Sequence, residues 1–136
     1  MKALFIALIA AGVFVPPASA QSTITRAKSD HLIETYRAYI GRDDLYNSSG
    51  ARLREPWQII RQDRANFYVY GRRDRGDEAD KFFADKRNRE TLEAMLASGS
   101  ISPSAASMIV QGDIWINVSI YGDGNIGDRL DVTVSD

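Results

Sequence analysis

An alternation near the C-terminus constrains this chain more than any other feature. Ile114, Ile116, Val118 and Ile120 alternate with Trp115, Asn117, Ser119 and Tyr121, and Leu130, Val132 and Val134 repeat the pattern around Asp131 and Thr133. Successive strand side chains point to opposite faces, so a period of two with branched aliphatics on one side predicts two strands that each bury one face. Residues 122–128, rich in Gly, join them into an antiparallel hairpin. A hairpin alone is marginal in water and must lay its apolar face against a third strand or against helices. The remainder of the chain has to supply that cover.

Three helical segments are legible upstream. Ser102-Pro103 starts one cleanly, with Ser as N-cap and Pro at the first helical position, Ala106, Ile109 and Val110 as the apolar face, and Gly112 at the stop. Pro56 starts another over residues 56–68, which places Trp57, Ile60, Arg64 and Phe67 in one stripe. A third is expected over residues 86–98, with Asp85 as N-cap, Leu92, Met95 and Leu96 inward and Gly99 at its end. Residues 32–41 fit a helical face or a strand. Their Ile, Thr and Tyr content and the terminal Gly41 favour the strand. Asp43-Asp44 and Asn47-Ser48-Ser49-Gly50 then read as turns.

The order strand, turn, three helices, two strands predicts a small single-domain α+β protein. In it a short antiparallel sheet, made of the N-terminal strand and the C-terminal hairpin, is covered by about three central helices.

The N-terminus belongs to a different problem. Lys2 precedes 13 residues (3–15) without a charge, Pro16-Pro17 breaks the run, and Ala18-Ser19-Ala20 has the small-x-small pattern of a signal-peptidase site. Residues 1–20 are therefore expected to be a cleaved signal peptide and 21–136 the mature domain, with residues 21–29 a loose polar leader. An apolar run this short falls well below the roughly 20 residues of a membrane span. No Cys follows the small residues, so lipoprotein attachment is excluded. The expectation is an exported, soluble protein, periplasmic or extracellular, with no transmembrane anchor after cleavage. The short leader with one Lys looks bacterial, which removes weight from the sequons at Asn47 and Asn117.

Charge and residue inventory narrow the chemistry. Cleavage removes Lys2 and no acid, leaving 16 cations against 18 acids. Such a balance is no footprint for nucleic acid. With no Cys, disulfides and thiolate catalysis are out, and the single His31, close to the mature N-terminus, is a poor base for a Ser-His-acid arrangement. Residues 72–89 mix charges of both signs, the pattern of solvated loop and helix faces, with Phe82-Phe83 as a hydrophobic anchor.

Four candidate constellations survive. Asp123, Asn125 and Asp128 lie in the Gly-rich loop and could offer oxygens to calcium, although the same residues suit an ordinary hairpin turn. Asp43, Asp44, Glu55 and Asp63 lie near Tyr46 and Trp57, the residue types a carboxylate-dependent glycan hydrolase would use. Asp63, Arg64 and Asn66 would be costly on the inward side of a helix without partners, so they mark a polar network or a ligand pocket with Trp57 and Phe67. Arg64 alone would ordinarily rest its stem on the core with its head in water. Trp115 and Tyr121 lie on the outward face of the hairpin, an aromatic set suited to protein contacts if helices do not cover that side too. The reading carried forward is a non-enzymatic binding module of the bacterial envelope or extracellular space, acting on another envelope or secreted protein and using no cofactor. A glycan hydrolase and a small-ligand module with a pocket near Arg64 are the alternatives.

Overall fold

The computed structural model describes residues 29–136, so the expected signal peptide and most of the polar leader lie outside the described residues. Strand β1 (Leu32–Ile40) leads through a 3-10 turn (Arg42–Leu45) to helix α1 (Pro56–Tyr68). Helices α2 (Lys86–Glu90) and α3 (Leu92–Ser98), strand β2 (Ser100–Ile101) and helix α4 (Pro103–Gln111) follow, and β3 (Ile114–Asp123) and β4 (Ile126–Ser135) close the chain. One four-stranded sheet runs in the order β1-β3-β4-β2. The α+β class is as expected, with β1 a strand, α1 and α4 at their expected bounds, and Ser102 capping α4 by accepting from Ala105 N at 3.0 Å.

Three details differ from expectation. The sheet is mixed, because β2 pairs in parallel with β4 at Asp131 and Val132. Two residues between helices carry no readable period, and what admits them is Gly99. A Cβ there would lie 1.6 Å from the Leu130 carbonyl oxygen, so only glycine lets the backbones approach this closely. The helix expected over 86–98 is two helices, broken at Thr91, whose hydroxyl and amide both turn back to the Asn88 carbonyl (2.8 and 3.1 Å). The hairpin strands run longer than the apolar pattern, since Asp123 pairs with Ile126 and the turn shrinks to Gly124-Asn125.

The isoleucine face of the sheet forms the core. Ile114, Ile116, Val118 and Ile120 pack with Ile59 and Ile60 of α1, Leu92 and Met95 of α3 and Ile109 of α4, with Phe82 and Phe83 filling the space between. All are buried, so the expected anchoring by Phe82-Phe83 holds.

Candidate functional site

The opposite face of the sheet is the first site. Register places Tyr39 beside Trp115, Arg37 beside Asn117 and Thr35 beside Ser119, while Thr133, Asp131 and Arg129 flank Asn117, Ser119 and Tyr121 from β4. Asn117 lies on a strand with neighbours on both sides and is still exposed, as are Thr35 and Thr133. Nothing among the described residues covers the middle of this face. The aromatic residues are half-buried by what stands beside them. The Arg37 guanidinium sits 4.1 Å from the Trp115 ring centroid, Tyr39 meets that ring edge-on at 5.2 Å, and Arg129 lies 3.8 Å from Tyr121. Such pairs attract because the ring face is electron-rich, by about 0.5–1 kcal/mol at exposed sites. Gly76, at φ +93, brings its loop within 2.9 Å of Trp115 for a Cβ it does not carry, so the indole is held from the side as well.

Asp63, Arg64 and Asn66 come together in the interior instead. Arg64 is 0% exposed and Asp63 and Asn66 2%. The guanidinium donates from Nε to Asp63 at 2.7 Å and from Nη1 to Asp80 at 3.0 Å and to the Glu78 carbonyl at 2.9 Å. It also lies over the rings of Tyr36 (4.2 Å) and Phe67 (4.8 Å). The expectation that Arg64 keeps its head in water is corrected: two buried acids and two aromatic faces replace the water. A ligand could reach it only by dismantling that cluster. Burial pushes Asp63 up to about 8, against the opposing charge of Arg64.

Asn66 links this interior to the surface. Its amide donates to Asp44 Oδ1 at 2.8 Å, Gln62 donates to its carbonyl oxygen at 2.9 Å, and Asp44 Oδ2 accepts from Gly41 N at 2.9 Å. Burial raises Asp44 to about 6, while the Asn66 and Gly41 donors pull the other way.

The four carboxylates expected for glycan chemistry separate. Asp63 is in the core, Asp44 is buried and doubly hydrogen-bonded, Asp43 is exposed beside it, and Glu55 is exposed at the start of α1. Trp57 packs half-buried against the core under Arg61 rather than beside them. In the calcium-candidate loop Asp123 and Asp128 are strand residues on opposite sides of the two-residue turn Gly124-Asn125, and Asp128 accepts from Ser29 N at 2.9 Å. Among the described residues no group of three or more acids or imidazoles is placed to hold a metal.

Sequence reasoning missed Asp80, Arg37 and Arg129. Asp80 sits in a segment without regular structure, so no period could mark it as buried. Arg37 shares parity with Tyr39, and pairing β1 with β3 would have placed both beside Trp115. Comparison with family models, with curated proteins and with solved structures finds no match to this chain.

Proposed function

We propose that this protein is a small exported, non-enzymatic binding module of the bacterial envelope or extracellular space, engaging another envelope or secreted protein through the uncovered face of its sheet. The observation that carries the reading is that face itself, a sheet packed by helices on one side with two Arg-capped aromatics on the other. Aromatic and Arg side chains are the residue types that dominate protein contacts. Arg37 makes no ion pair among the described residues, so the partner that fits presents a carboxylate to Arg37 beside an apolar group over Trp115.

Size sets the class of contact. Three strands about 4.8 Å apart and about nine residues long measure about 14 by 30 Å. That is about half of the ~800 Å² each partner brings to a standard interface, which places the contact among weak, transient ones. Hydrolysis is the poorer reading because the carboxylates it would need are divided between core and surface.

Photo-crosslinking in the producing cell tests the proposal. A crosslinker placed at Asn117 or Thr133 is expected to trap a discrete adduct that Trp115→Ala removes, while one at Glu93 or Ser104 on the helical side traps none. Equal yields from both sides, or none from the sheet, would refute it.

A further inference from the structure

A hollow lies elsewhere, between the 3-10 turn with its following loop and the C-terminal end of α1. It encloses about 470 Å³, in the range of small-ligand sites. A second hollow of about 280 Å³ continues it, the two sharing Asp43, Asn66 and Arg72.

The walls are fixed by local hydrogen bonds. On one side Asn47 Oδ1 accepts from Ser49 N (3.1 Å) and Ala51 N (2.9 Å), and Leu53 N returns to Leu45 O at 2.8 Å. On the other, Arg72 N reaches back to Asn66 O at 2.8 Å, terminating α1. The floor is the Gln62–Asn66–Asp44–Gly41 chain, so its amides are oriented before any ligand arrives. Ordering them costs a ligand nothing further.

The lining is chemically selective. Tyr46 and Tyr70 both border the hollow and are 37% and 52% exposed, with the Arg52 guanidinium 5.8 Å from the Tyr46 ring centroid. Arg42 and Arg72 make no ion pair among the described residues. Arg42 and Arg72 line the first hollow with Asp43, and Arg73, Asp44 and Asp74 line the second, so the walls carry both signs of charge. Planar donors, planar acceptors and amides that do both, beside aromatic faces, match one ligand class. A pyranose presents adjacent hydroxyls, each donor and acceptor, around a ring whose C–H faces lie on aromatics. We infer that this cleft is a saccharide-binding site, in which Gln62, held by Asn66, joins Arg42, Arg72 and Asp43 in engaging sugar hydroxyls and Tyr46 or Tyr70 carries the ring.

The test is an amide NMR titration of the purified protein with cellotriose, the β-1,4-linked N-acetylglucosamine trimer and maltotriose, with inorganic phosphate as the anion comparison. At least one trisaccharide is expected to shift the side-chain amides of Gln62 and Asn66 and the backbone amides of residues 46–50 and 70–73, saturably. Tyr70→Ala or Tyr46→Ala, exposed positions whose spectra report folding directly, should weaken that binding by about tenfold, or ~1.4 kcal/mol. Trp115→Ala should leave it unchanged, so this result stands or falls apart from the sheet face. No shift from any trisaccharide at ~10 mM, where even very weak sites bind, would overturn the inference. Shifts from phosphate alone would overturn it too, in favour of an anion site.

Discussion

Replacing Arg64 by Met should cost this protein a large part of its stability. The side chain is wholly buried and donates three hydrogen bonds, two of them to acids that are themselves buried. Met fills a similar volume but takes a donor from Asp63, from the Glu78 carbonyl and from Asp80, which keeps Tyr68 OH and Phe83 N. Removing one partner of a buried ionic pair costs about 3–5 kcal/mol, mostly the penalty of the charge left behind. One feature places Arg64→Met near the lower end: Arg64 Nη2, buried without a partner among the described residues, leaves with the substitution. The expectation is therefore about 3 kcal/mol, from a total of about 5–15 kcal/mol for a domain of ordinary stability. Arg64→Lys keeps the charge but cannot reach Asp63 and Asp80 together from one ammonium, and should cost about 2 kcal/mol. Urea unfolding of the three proteins, read by tryptophan fluorescence and far-UV circular dichroism, gives the differences directly. A loss below about 1 kcal/mol for Arg64→Met would refute the reasoning, because it would mean that the acids rehydrate without disturbing the fold.

Two further outcomes follow from other parts of the fold. Asp44 and Asp63 have folded-state values raised to about 6 and about 8. A raised carboxyl holds its proton in the folded chain after the unfolded chain has released it, so its contribution is full below about pH 4 and is lost as pH rises through the folded value. Urea midpoints should therefore fall between about pH 4 and pH 8, with Asp44 supplying about 3 kcal/mol of the change, and Asp44→Asn should flatten the lower half of that window. A midpoint rising across this range would contradict the assignment. The outer edge of β1 is closed by side chains, with Tyr39 N donating to Asp77 and Arg37 N to Glu78, both at 2.8 Å. The double variant Asp77→Ala/Glu78→Ala opens that edge for pairing and should show concentration-dependent self-association by sedimentation velocity. A strictly monomeric variant would show that the edge needs no such closure.

What the sequence made legible was whatever repeats or is punctuated. The Ile114–Ile120 alternation, the Ser102-Pro103 start and the Pro56 start each rest on a local rule, and each element forms where that rule places it. Elements set by contact between distant segments were not legible. β2 exists because Gly99 lets it touch Leu130, and the α2–α3 break because one threonine turns back on Asn88. The candidate residues divide in the same way. Asp63, Arg64 and Asn66 could be singled out as a polar set on an inward stripe, yet Asp80, which completes the set, sits 16 residues from Arg64 in a stretch with no period.

That stretch carries the connection between core and face. Mixed charge over residues 72–89 predicts solvated loop and helix faces, and most of its charged side chains are exposed, while Asp80 and Arg89 turn inward and are buried. Lacking sheet or helix partners, the segment satisfies its backbone with side chains. Lys81 N and Phe82 N donate to Glu34 at 2.8 and 3.1 Å, Arg89 donates to the Phe83 carbonyl at 2.6 Å, Tyr68 exchanges hydrogen bonds with Asp80, and Arg64 holds Glu78 O. Backbone groups left unpaired in such a place would cost about 1–3 kcal/mol each. Glu78 N then donates to Arg37 O at 2.9 Å, fixing the segment to the edge of β1, and Gly76 two residues earlier lies against Trp115. Arg64 in the core and Trp115 on the open face are thus tied to the same run, residues 76–80. The ionic cluster holds that run and the run lies against the half-buried indole, so the surroundings of Trp115 are set in part from inside the molecule.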